Sequence, residues 1–176
     1  MDHPGFFELI RLHLRQPEYL HVFLHPLPIY GVALGALALV IGMLQRSRQS
    51  QVAALILLVI SAGSAWPVKE LGEKAYDHIE ATADHDSYLW LDAHGQRAEK
   101  AVPVFYALAL AAAVALAVPW KFPKSALALN ALTLLLCLAA MTAAFWIATA
   151  GGQVQHREFR YGMPSEQPGG YEKIRD

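Results

Sequence analysis

The stretch SALALNALTLLLCLAAMTAAFWIATAGG, from Ser125 to Gly152, runs for 28 residues without a charged side chain. A helix needs about 20 mostly apolar residues to cross the hydrocarbon of a bilayer, with about 17–25 tolerated. Three further uncharged stretches reach that length: Leu27 to Leu44 with 18 residues, Val52 to Val68 with 17, and Ala101 to Trp120 with 20. None alternates apolar and polar residues as a barrel strand does. The expected class is therefore all-α, an integral membrane four-helix bundle with spans near 27–44, 52–68, 101–120 and 125–150.

Composition points the same way. Of 176 residues, 55% are apolar and 16% charged, whereas soluble domains average about 45–50% and about 25%. Fourteen Lys and Arg against fifteen Asp and Glu give a net charge of −1. That leaves no basic surface for a phosphate backbone, so the expected partner is the lipid bilayer and not nucleic acid. The single cysteine, Cys137, lies inside the fourth apolar run and reads as a small packing residue.

The linkers divide the chain. Residues 45–51 and 121–124 are tight turns, so the spans form two hairpins, and the long segment 69–100 between them has room for helices of its own. Residues 1–24 precede the spans. Asp2 and Glu8 stand where a signal peptide would be basic. Phe6, Phe7, Ile10 and Leu14 alternate with Glu8, Arg11 and Arg15 at helical spacing, which predicts an interfacial helix broken near Pro17, or else a plain lead-in. The four-span domain covers 25–161. Pro164, Pro168, Gly169 and Gly170 mark 162–176 as a disordered tail.

An even number of spans puts both termini and the long loop on one face. Every acidic residue lies there, with a net charge of −5, while Arg46, Arg48, Lys121 and Lys124 occupy the acid-free opposite turns. Compact basic turns read as cytoplasmic, which places the acidic face in the periplasm of a bacterial inner membrane protein. The raw Lys and Arg count runs against this, since the terminal face has ten of the fourteen.

The spans contain no Asp, Glu, Lys, Arg or His, which argues against an ion pump or transporter. Asn130, Thr133 and Thr142 read as inter-helix hydrogen bonders, and Gly31, Gly35 and Gly42 as a close-packing stripe. Chemistry-bearing residues gather just outside, all at the terminal end. His25 opens the first span in His25-Pro26-Leu27-Pro28. Past Trp66-Pro67 a surface helix through about Ala81 carries Glu73. Asp86 or Ser87 caps the next helix, which places His94 on the stripe Leu91, His94, Ala98, Ala101, Phe105. Gly151-Gly152 reads as a helix stop, followed by His156 and Glu158.

Each span thus delivers a His or a carboxylate to one end. His25, Glu73, His94, His156 and Glu158 form a candidate metal set, with at least three functional atoms expected within about 5 Å of one another. Imidazole with carboxylate suits iron, zinc, copper or manganese, and the lack of thiolate clusters excludes iron–sulfur chemistry. Haem b on His25, His94 or His156 is the other option.

These elements resemble an uncharacterised family of small four-span bacterial membrane proteins, a domain of unknown function. The likeness covers about residues 25 to 161 and rests on His25-Pro26-Leu27-Pro28-Ile29, Gly72-Glu73-Lys74-Ala75, His94, and Gly151-Gly152-Gln153-Val154-Gln155-His156-Arg157-Glu158. Leu71 stands where that family often has Thr, and Gly95, Gln96 and Arg97 where acidic residues often follow the loop histidine. The resemblance implies a bacterial membrane location and a metal or haem role. Two readings follow: a metal- or haem-binding membrane protein for redox or electron transfer, with a redox partner, or a non-catalytic accessory subunit of a larger membrane complex. A homo-oligomer fits either.

Overall fold

The computed structural model describes residues 5–165, so residues 166–176 of the expected disordered tail lie outside it. Among the described residues every regular element is helical. Helix α1 (Phe6–His13) ends before a break, and α2 (Pro17–Leu24) starts with proline in its first turn, where its missing N–H costs nothing. One π-helical turn, Leu27–Gly31, carries the chain into α3 (Val32–Leu44). Pro28 brings no N–H to this turn, and a local i→i+5 pattern relieves the clash its ring would cause.

Helix α4 (Arg48–Gly63) is followed at Ser64 by a bend, then by α5 (Ala65–Thr82). Pro67, at the third position of α5, cannot continue the α4 hydrogen-bond ladder, and the Ser64 hydroxyl donates to the Ser61 carbonyl at 2.6 Å. Helix α6 (His85–Ala117) is one continuous element of 33 residues, and α7 (Ala126–Gln155) one of 30. Four continuous helical stretches, Pro17–Leu44, Arg48–Thr82, His85–Trp120 and Pro123–Gln155, are long and apolar enough to cross a membrane.

The α3–α4 turn closes with paired bonds, Ser47 N–H to the Gly42 carbonyl and Arg46 N–H to the Met43 carbonyl, both 3.0 Å. This is a Schellman closure, and Arg46 takes the left-handed position (φ 53°) that glycine usually fills. Ser47 then caps α4. At the same end, Arg48 donates to the Leu116 carbonyl at 3.1 Å, covering an open carbonyl at the end of α6. Asn130 Nδ2 donates to the side-chain Oε1 of Gln51 at 3.0 Å, so the two turns sit side by side.

Small residues set the spacing. A Cβ on Gly31 would lie 2.2 Å from the Ser61 hydroxyl, on Gly35 2.7 Å from a Leu58 methyl, and on Gly42 2.9 Å from the Gln51 backbone nitrogen. The glycine stripe therefore lets Ser61, Leu58 and the Gln51 backbone of α4 pack directly against the backbone of the π-helical turn and α3, with no side chain between. Behind it, Leu39, Leu55, Leu58, Phe105 and Leu108 form an apolar core together with Cys137, which is a buried packing residue. The outward faces are apolar too: Leu34, Ile60, Leu110, Leu135, Leu138 and Phe145 are all exposed.

Three sequence expectations need correction. The Thr133 and Thr142 hydroxyls donate to the Leu129 and Leu138 carbonyls of their own helix, at 2.9 and 3.0 Å, and not between helices. The α6 cap is Asp84, whose carboxylate accepts the Ser87 N–H at 2.7 Å, and not Asp86 or Ser87. Gly151-Gly152 does not end the fourth helix, which runs through both glycines to Gln155. Glycine costs a helix interior about 1 kcal/mol relative to alanine, and the reason this one is tolerated lies in the site.

Candidate functional site

A cavity of about 500 Å³ opens at the end of the helices opposite the tight turns, walled by α2, α5, α6 and α7. His21 and His25 reach it from α2, Glu73 from α5 and His94 from α6. Apolar side chains such as Val22, Ile79, Leu91 and Val154 make up much of the remaining wall.

The three imidazoles are held in the same way. His21 places Nδ1 2.9 Å from the Val68 carbonyl oxygen, His94 3.1 Å from that of Ile147, and His25 2.7 Å from that of Val22. A carbonyl only accepts, so in each ring Nδ1 carries the proton and donates. Neutral imidazole with its proton on Nδ1 has a lone pair on Nε2. A metal-binding histidine is oriented in this manner, with one ring nitrogen donating to a backbone carbonyl and the other left for the ion.

Two of the seats share a design. His21 packs against Gly72, where a Cβ would come within 3.0 Å of its Nδ1 and Cε1, and the carbonyl it bonds belongs to the residue four before that glycine. His94 packs against Gly151 at the same 3.0 Å, again bonding the carbonyl four residues earlier. A helical carbonyl is shielded by the side chain one turn later, and glycine there opens the path for an imidazole from a neighbouring helix. This explains why α7 runs through Gly151.

The rings form a chain. His21 and His25 are near parallel, with centroids 6.3 Å apart, and His21 and His94 are perpendicular at 6.3 Å. Among the described residues no group of three or more His, Cys, Asp or Glu side chains is arranged to hold a metal ion. Glu73 pairs with Lys69 one turn away. Glu18 and Glu99 also line the cavity.

Of the residues singled out from sequence, His25, Glu73 and His94 line the same cavity, without forming, among the described residues, the metal-holding cluster expected of them. His156 and Glu158 lie elsewhere: Nδ1 and Oε1 of this exposed pair are 2.9 Å apart, and neither lines the cavity. The Glu158 carboxyl is held below its ordinary range by its own backbone N–H and by His156. Sequence reasoning missed His21. Its signal was the one-turn spacing of His21 and His25, together with lone glycines inside helical patterns at 72 and 151.

Two features brace the site. Arg97, one turn beyond His94, donates to the Trp146 carbonyl and the Thr149 hydroxyl, both at 3.0 Å, and lies over the Trp146 ring. Asp84 binds Arg157 and accepts the Ser87 N–H, which ties the segment after α7 to the start of α6. The Ser87 bonds hold its carboxyl down at about 2, with Arg157 and Arg160 adding to the effect.

A depressed carboxylate stabilises when ionised. The clamp is therefore in full force above pH ~4, the unfolded range for Asp, and is lost as pH falls through about 2. We expect Asp84→Asn to retain the helix start, since Asn also caps, while freeing residues 157–160. Limited trypsin digestion should then cut after Arg157 or Arg160 much faster than in the parent chain. Equal rates would show that the clamp does not hold the segment.

No family model, no curated protein and no solved structure matches this chain.

Proposed function

We propose that the chain is a multi-pass membrane protein that binds a metal or haem centre in the cavity lined by His21, His25 and His94, for redox or electron transfer. One observation carries the reading: three histidines line one cavity, and each donates Nδ1–H to a carbonyl so that Nε2 is left as a base. Charge supports a metal ion at the site: Glu18, Glu73 and Glu99 line the cavity beside the Lys69 ammonium, and a cleft lined by one sign of charge concentrates the opposite sign.

Membrane insertion draws support from the outward faces. In the most apolar 18-residue window of each long helix, 33% of residues at most are buried. Water would penalise so much exposed apolar surface, whereas lipid does not. Tyr30, Trp66, Tyr106 and Trp146 stand near the cavity ends of the four apolar runs, and Trp120 and Phe122 at the turn end. Such girdles suit the two membrane interfaces. With the basic turns cytoplasmic, the cavity opens toward the periplasm of a bacterial inner membrane.

The test is elemental analysis and an optical spectrum of full-length protein purified in mild detergent. The reading expects a stoichiometric transition metal, as a bare ion or within haem, that is lost in His21→Ala and His94→Ala. A metal-free protein that also fails to take up Zn²⁺, Cu²⁺ or haemin would favour an accessory subunit whose histidines serve only to join helices. Reporter fusions at Lys121 and at the C-terminus check orientation, the former expected to report cytoplasm and the latter periplasm.

A further inference from the structure

We infer that the guest is a haem, a tetrapyrrole iron gripped from two sides by His21 and His94. The inference rests on the metal-binding reading above and adds the identity of the cofactor and of its two ligands.

Spacing is the first argument. Metal–nitrogen bonds of about 2.0–2.1 Å put the ring centroids of two imidazoles roughly 5 Å apart at a tetrahedral angle, and roughly 6 Å apart across one ion. His21 and His94 stand at 6.3 Å, with their planes at 90°. They come from different helices, α2 and α6, and each is seated on a further helix. His21 and His25 show the same 6.3 Å, but they sit one turn apart on α2, and such side chains project together from one face. They cannot stand on opposite sides of an ion. The trans pair is therefore His21 with His94.

Ligand number is the second. Among the described residues no third His, Cys, Asp or Glu completes a metal-holding group. An ion held by two trans imidazoles needs its equatorial donors from elsewhere, and the four pyrrole nitrogens of haem are such a set. Volume is the third argument. A bare ion with a few waters, each claiming about 30 Å³, would leave most of a cavity of about 500 Å³ empty. That size and the apolar walls suit an organic ligand, for which pockets of about 300–1,000 Å³ are usual.

The glycines then have a role. Gly72 and Gly151 are positioning residues, since each gives up a side chain so that an axial ring can lie against its helix with the proton kept on Nδ1. Neither touches the iron.

The experiment titrates full-length protein in detergent with haemin and, separately, with Zn²⁺ and Cu²⁺. We expect haemin to bind one per chain and to give a six-coordinate, low-spin spectrum. His21→Gln and His94→Gln keep a donor for the Val68 or Ile147 carbonyl and so should preserve the fold. Each should convert the bound haem to a high-spin form and weaken binding at least tenfold. His156→Ala, outside the cavity, should leave the low-spin spectrum intact. Gly72→Ala and Gly151→Ala should lower the low-spin fraction at unchanged helix content, a shift that a purely structural role would not produce.

Stoichiometric Zn²⁺ or Cu²⁺ binding that depends on His21, His25 and His94, with no haemin bound, would overturn the haem assignment and leave the metal reading standing. Failure of haemin and both ions would overturn both. A low-spin spectrum insensitive to His21→Gln and His94→Gln would overturn the ligand assignment.

Discussion

Replacing His94 with alanine is expected to leave a folded protein that retains no cofactor through purification. The ring contributes one hydrogen bond, to the Ile147 carbonyl, and a typical intramolecular bond is worth about 0.5–1.5 kcal/mol net. That carbonyl keeps its partner within α7, so no orphaned acceptor results. The loss is small beside the roughly 5–15 kcal/mol that holds a domain together. Ligation has no such reserve, because among the described residues His94 is the one imidazole that α6 brings to the cavity lining. Even an outer-shell partner of a metal ligand is worth about 10–100-fold in affinity, and the ligand itself should cost more. Thermal unfolding gives an independent check. A ligand that binds only the folded state raises stability by about 2.7 kcal/mol at a hundredfold excess over its dissociation constant. Added cofactor should therefore raise the Tm of the parent chain and leave that of His94→Ala unmoved. An equal rise in both would remove His94 from the site.

The second large effect lies at the other kind of glycine. Gly31→Leu should strongly destabilise the α3–α4 pair, by about 1–3 kcal/mol and occasionally more for an overpacked core. Its first side-chain atom would sit 2.2 Å from the Ser61 hydroxyl and 2.8 Å from the Ser61 Cβ, inside both van der Waals radii. The helices must separate or the π-helical turn must shift. Gly31→Ala should cost less, and Ser61→Gly should recover part of that cost, which a double-mutant cycle reads as coupling between contacting sites. Gly63 is the control. Nothing lies within 4 Å of a Cβ there, so Gly63→Ala should be neutral or stabilising, by up to about 1 kcal/mol. If Gly31→Ala and Gly63→Ala behave alike in detergent unfolding, the close approach of α3 to α4 is not what holds this hairpin.

The accessory-subunit reading makes the opposite forecast for the first of these. Its histidines would be helix-joining groups alone, and His94→Ala would alter stability by a hydrogen bond while changing no bound species.

The primary structure by itself determined a great deal. Four charge-free stretches of 17 to 28 residues require helices, because backbone polar groups in an apolar setting must bond within their own segment. The short basic turns required two hairpins. The same reasoning located Gly31, Gly35 and Gly42 as a packing face and Cys137 as an interior residue, since both follow from periodicity and size. It also brought His25, Glu73 and His94 to one end of the molecule, because the order of spans alone decides at which end each linker lies.

Which of those residues meet was decided only by the tertiary structure. His21 falls within residues 1–24, which read as an interfacial helix or a plain lead-in, and nothing local signals that α2 lies along α5. His156 was included because it follows the Gly151-Gly152 stop at the same end of the spans as His25, Glu73 and His94. In the fold α7 continues, carrying His156 past the cavity to pair with Glu158. A glycine means a stop in local terms and a seat for a neighbour's imidazole in tertiary terms, and the two differ only in what packs against it. Helix formation depends on interactions within a few residues, whereas a binding site depends on the approach of helices far apart in sequence, which periodicity does not encode.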